Sequence, residues 1–111
     1  VKTWRFRIEH SCTRGDTFAE AVSAFEAMRD SPGYSVDVGP MSEMDPNLMR
    51  VTVMGSHILV AVLFDDKRTL VSISAPESIA WAESLVRDRI EATIRELLLQ
   101  AGSDFVEITE L

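Results

Sequence analysis

One cysteine, Cys12, stands in a chain of 111 residues. It can close no internal disulfide, which excludes a bridged secreted scaffold and makes a reducing compartment, the cytoplasm, the expected setting. Proline and glycine are sparse, at 4 and 5 residues, and fall singly. That leaves no linker, repeat or low-complexity tract, so residues 1–111 read as a single domain. Positive charge is in deficit: 11 Lys and Arg against 18 Asp and Glu give a formal charge of −7, which opposes attraction to nucleic acid or to an anionic membrane. Long apolar runs are absent as well. The longest, 58–64, is too short to span a bilayer, and the first residues, Val1-Lys2-Thr3-Trp4-Arg5, form no signal-peptide core. What remains is a chain with 46% hydrophobic residues, enough to build a core without metal or disulfides.

The apolar residues are ordered by two periods. Trp4, Phe6 and Ile8 alternate with Thr3, Arg5, Arg7 and Glu9, the mark of a strand with one face buried. Thr17-Phe18-Ala19-Glu20 has capping-box spacing, with Asp16 as a rival cap. Phe18, Ala21, Val22, Phe25 and Met28 follow at helical spacing until Asp30-Ser31-Pro32-Gly33. Tyr34, Val36 and Val38 predict a second strand, and 40–47 a loop. Residues 48–54 and 57–64 flank Gly55-Ser56. This pair predicts a type II′ hairpin turn in which Met54 opposes His57, Val53 opposes Ile58, Val51 opposes Val60 and Met49 opposes Val62. With Asp65-Asp66-Lys67-Arg68 as the next loop, Phe64 opposes Thr69, Val62 opposes Val71 and Val60 opposes Ile73. Ser74-Ala75-Pro76-Glu77 is a second capping-box pattern opening a helix that Gly102 ends. Its expected buried stripe is Ile79, Ala82, Val86, Ile90, Ile94, Leu97 and Ala101, widened by Leu85 and Leu98. Glu83, Arg87, Glu91 and Arg95 form a solvated ladder. Val106 and Ile108 predict a short last strand.

The order β-α-β-β-β-β-α, with a terminal β, implies an α+β two-layer sandwich: a mostly antiparallel sheet with two helices on one face. In topology alone this order is similar to one repeat of the TATA-box-binding-protein fold, and loosely to helix-grip folds.

Few residues suggest chemistry. His10, Cys12 and His57 are the soft metal ligands apart from methionine, but strand parity puts His57 on the face opposite the other two, so no metal site is expected. Cys12 and His10, two apart on a strand, make a poor nucleophile and base. The adjacent Asp65 and Asp66 offer too few oxygens for Ca²⁺ or Mg²⁺. Gly-rich phosphate loops, G-x-S-x-G and H-E-x-x-H are absent. No catalytic residue, cofactor or metal is therefore assigned.

The sharper signal is the far face of the sheet. The register that buries Val51, Val60 and Ile73 sends Leu48, Leu63 and Leu70 outward in one row, with Leu59, Ala61 and Met54 on the same face. Arg5, Arg7 and Arg50 point there too, with Thr52, Ser72 and Ser74. An uncovered sheet face is normally polar, so the leucines call for a cover. The expected cover is a partner protein or a second copy, making Leu48, Leu59, Leu63, Leu70, Arg5, Arg7 and Arg50 an interface of a small non-catalytic, regulatory domain. The alternative cover is the C-terminal segment, through Phe105 or Leu111. Two other functions stay open. One is a small-molecule module with an apolar pocket between the long helix and the sheet, lined by Trp4, Phe25, Trp81 and methionines. The other is an acidic inhibitor imitating nucleic-acid phosphates.

Overall fold

The structure, a computed structural model, describes residues 1–30 and 35–111. Six antiparallel strands form one sheet, and two α-helices pack on one of its faces. The strands are β1 (Lys2–His10), β2 (Ser35–Val38), β3 (Asn47–Val53), β4 (Ser56–Asp65), β5 (Arg68–Ala75) and β6 (Val106–Glu110). The helices are α1 (Arg14–Ala27) and α2 (Glu83–Gln100). Sheet order is β2-β3-β4-β5-β1-β6, so the short last strand pairs with the first. No helix among the described residues is long and apolar enough to cross a membrane. Ser31, Pro32, Gly33 and Tyr34, expected to end α1 and open β2, lie outside the described residues.

The second β-hairpin has the expected register, with Phe64 opposite Thr69, Val62 opposite Val71 and Val60 opposite Ile73; Asp65 and Arg68 are strand residues rather than loop. The first hairpin differs. Its turn is Met54-Gly55, with φ of 51° and 79°, the signature of type I′ rather than II′. Val53 therefore opposes Ser56, Val51 opposes Ile58 and Met49 opposes Val60. Both turn types give Gly55 its positive φ, and nothing in the sequence announces a left-handed Met54. Moving the turn by one residue moves the pairing by two, so every side chain keeps its face. Val51, Val60 and Ile73 are all buried beneath the helices, although it is Met49, not Val51, that stands in the row of Val60 and Ile73.

Both helices begin elsewhere than the capping patterns indicate. Thr13, not Thr17, caps α1: its hydroxyl donates to the Asp16 carboxylate at 2.8 Å and accepts from the Asp16 N–H at 3.4 Å. The Arg14 N–H donates to Asp66 Oδ1 at 2.8 Å, so a carboxylate from the β4–β5 turn satisfies another first-turn donor. Thr17 is left inside the helix, buried, donating to the Thr13 carbonyl. Likewise Ser74 caps nothing; it stays in β5 beside Thr3, hydroxyl to hydroxyl at 3.2 Å. A 3₁₀ segment, Glu77–Ala82, kinked at Ile79, precedes α2. At the other end Gly102, with φ 95°, terminates α2 as expected. The Ser103 and Gly102 N–H groups donate to the Leu98 and Leu99 carbonyls, a Schellman arrangement.

Phe64 of β4 anchors α1, stacking with Phe25 at 6.1 Å and meeting Phe18 edge-on at 6.2 Å. α2 buries Val86, Ile90, Ile94, Leu97 and Leu98. Leu85, expected to widen this stripe, is 61% exposed, because at 3.6 residues per turn it falls on the side of α2 opposite Val86, Ile90, Ile94 and Leu97, together with exposed Leu99. Glu83, expected in the solvated ladder, is buried, with Arg87 at 2.6 Å. Arg87 also reaches Glu110 of β6 and so ties the last strand to the helix. Ile90→Ala is expected to cost about 2–5 kcal/mol by opening a cavity under α2, and Leu85→Ala less than about 0.5 kcal/mol. Denaturant midpoints of the two variants check the orientation of α2, and equal losses would contradict it.

Candidate interaction surface on the outer sheet face

The face of the sheet away from the helices is built by alternate residues of all six strands. One cross-strand row reads Asp37–Arg50–Leu59–Ser74–Thr3. The next reads Leu48–Ala61–Ser72–Arg5, continued by Leu111, whose N–H donates to the Arg5 carbonyl at 2.9 Å. A third reads Leu63–Leu70–Arg7–Thr109, and a fourth Asp65–Arg68–Glu9–Glu107. The sequence-predicted residues thus share one face, but Leu48 stands beside Ala61 rather than in the row of Leu63 and Leu70. Met54, expected on this face, lies in the turn.

The leucines form a band running diagonally across β3, β4 and β5. Leu48 and Leu59 are 61% and 52% exposed, while Leu63 and Leu70 are half-buried against each other. A shallow cleft of about 220 Å³ opens between Arg5, Pro46, Leu63, Leu70, Ser72 and Leu111. The C-terminal segment does not cover the band. β6 lies beside β1 at the sheet edge, Phe105 is exposed, and Leu111 borders the cleft while remaining 66% exposed.

Charge on this face is balanced. Arg7 pairs with Glu9 at 2.9 Å, Arg50 with Asp37 at 2.9 Å and Arg68 with Asp65 at 3.2 Å. Among the described residues Arg5 and Glu107 have no ion pair, and they complete a set with one carboxylate for each arginine. The formal charge of −7 therefore resides wholly off the outer face. Exposed pairs contribute little to stability; their effect is to present arginines without a strong local field. Sequence reasoning named Arg5, Arg7 and Arg50, left Arg68 in the hairpin loop, and missed the carboxylate partners. The i,i+2 spacing of Arg7 and Glu9 on one strand face was the available signal, whereas Asp37 meets Arg50 only through strand pairing.

The candidates for metal or nucleophilic chemistry are dispersed. His10 is fully buried on the helix side, its Nε2 3.1 Å from the Thr69 hydroxyl. Cys12 is buried with its thiol directed at the Leu98 carbonyl, and burial pushes its pKa up. His57 is exposed on the outer side, 3.1 Å from the Thr52 hydroxyl. Asp65 and Asp66 serve the fold: Asp66 caps α1, while Asp65 accepts from the Asp66 N–H and from Arg68, interactions that hold the exposed Asp65 carboxyl below its usual pKa. Among the described residues no three His, Cys, Asp or Glu side chains are grouped to hold a metal ion. The residues suggested for an apolar pocket have unlike surroundings. Phe25 is core, Trp4 is half-buried, and Trp81 is 59% exposed. Met28 and Met49 are core, and Met44 and Met54 surface.

No protein-family model matches the chain, and no curated protein matches it.

Burial, the largest cause, holds the His10 pKa below its ordinary value, opposed by backbone groups of Arg68 and Cys12. Above about pH 6.5 the imidazole is neutral in both folded and unfolded chains. Below it the unfolded chain binds a proton that the folded chain resists, so stability falls as pH drops from about 6.5 toward the folded-state pKa. Urea midpoints at pH 7.5 and 5.5 are expected to show this loss in the natural chain and a smaller one in His10→Gln. An identical pH dependence in both would contradict the assignment.

Proposed function

We propose that this chain is a small non-catalytic interaction domain, regulatory in character, that associates with another protein chain through the outer face of its sheet. The observation that carries the proposal is the diagonal leucine band. Both helices are committed to the opposite face, and Leu48 and Leu59 remain more than half exposed beside Leu63 and Leu70. At roughly 25 cal/mol per Å², withdrawing these side chains from water gives a substantial drive for association. Arg5, Arg7 and Arg50 border the band and suit a polar rim that sets orientation more than affinity. The engagement of His10, Cys12, Asp65 and Asp66 in structural hydrogen bonds supports the non-catalytic part of the proposal. The buried single thiol suits the cytoplasm.

Hydroxyl-radical footprinting tests it. The full chain is probed dilute and alone, then in extract of the cells that make it. Modification of Leu48 and Leu59 is expected to drop in extract while Leu85 and Trp81 on the helix side stay unchanged. Protection confined to Leu85 and Trp81, or no protection of Leu48 and Leu59 either in extract or in the pure chain concentrated to about 1 mM, would sink the proposal.

A further inference from the structure

We infer that the chain docked on the outer face is a second copy of this one, sheet against sheet about a two-fold axis; the inference rests on that face being an interface at all. Electrostatics selects the partner. A chain of charge −7 resists meeting itself, yet its outer face has one carboxylate for each arginine. Two copies docked through this face turn their helical layers outward. Packed sheets lie about 10 Å apart, which sets the two helical layers about 30 Å from each other. That is several Debye lengths at physiological salt, where one is about 8 Å. The repulsion between the helices, which hold −3 of the −7, is thereby screened. A strongly basic partner, by contrast, would be drawn to the acidic helical layer and loops, away from the leucines.

The face is also self-complementary in kind. It carries apolar side chains that need an apolar cover, together with an arginine, Arg5, and a carboxylate, Glu107, that have no ion pair among the described residues. In an isologous contact whatever one copy donates the other returns, so Arg5 of each copy can meet a carboxylate of the other. Size sets the strength. Six strands about 4.8 Å apart, with outward rows spanning about 17 Å, present roughly 400 Å² per copy and roughly 800 Å² per pair. This lies below the 1,200 Å² or so of standard interfaces, so the dimer is weak and depends on concentration.

Sedimentation velocity of the purified full chain, from about 1 μM to about 1 mM, reads this out. The mass is expected to rise from 12.4 kDa to twice that value and no further, with the midpoint in the micromolar range. Leu59→Glu is expected to hold the chain monomeric with its circular dichroism unchanged. Arg5→Glu is expected to raise the midpoint concentration about tenfold, and Leu85→Glu on the helix side to leave it unaltered. A chain that stays at 12.4 kDa throughout overturns the second copy as occupant; protection of Leu48 and Leu59 in extract would then still uphold the sheet face as the interface for a different protein. A dimer broken by Leu85→Glu and not by Leu59→Glu overturns both.

Discussion

Six strands covered on one side only must send alternate side chains into two different environments, and the rest of the molecule depends on that division. On the helix side, Phe6, Ile8, Ile58, Val60, Val62, Phe64, Val71 and Ile73 form a continuous apolar floor, onto which α1 and α2 settle with Phe25, Ile90, Ile94 and Leu97. A slip of one residue in any ladder would exchange this floor for leucines, arginines and serines. The penalty for such a slip is spread over every strand it touches, which holds the register even where a turn is imperfectly specified. The outer face is a product of the same alternation. Its leucines are outward because their neighbours are inward, and no helix remains to cover them.

Polar contacts fasten the pieces that apolar burial leaves loose. The buried Ser103 hydroxyl accepts from the Ser11 N–H and donates to the Phe105 carbonyl, while Ser11 Oγ accepts from the Asp104 N–H. These bonds guide the chain from the end of α2 into β6. Arg87 holds the far end of β6 through Glu110. Asn47, also buried, exchanges two hydrogen bonds with the Ser42 backbone and shapes the loop before β3. Buried polar groups of this kind stabilise little on balance when satisfied, but leaving one unpaired costs about 1–3 kcal/mol. They select one path for the chain rather than adding bulk stability. Through Leu111 and Pro46, both placed by these fastenings, they also shape the rim of the cleft on the outer face.

Much of the fold and of the candidate site was legible because strand parity tolerates error. The turn at Met54-Gly55 lies one residue before the position that Gly55-Ser56 suggests, yet Leu48, Leu59, Leu63 and Leu70 still face outward, since the pairing shifts by two. Cross-strand neighbours are less forgiving: Leu48 left the row of Leu63 for that of Ala61. Helix starts were read less well. Thr17-x-x-Glu20 and Ser74-x-x-Glu77 have capping-box spacing, but Thr13 has Asp16 at the same distance along the chain, and Ser74 is claimed by the strand ladder. A capping pattern states that a cap can form; competing backbone hydrogen bonds decide whether it does.

Periodicity and turn chemistry by themselves determined the element order, the two-layer class, the buried face of each strand and the outward leucines. These follow from the fixed geometry of strand and helix, which acts between residues close in sequence. Tertiary structure alone decided that Asp66 caps α1, that a 3₁₀ segment kinked at Ile79 precedes α2, and that Glu83 is buried against Arg87. It also decided that β6 joins β1 at the edge instead of crossing the leucine band, and that each outer-face arginine has a carboxylate to balance it. Each of these outcomes joins residues far apart in the chain or depends on which groups compete for one donor. Local sequence spacing carries no record of such competition, and only the assembled sheet resolves it.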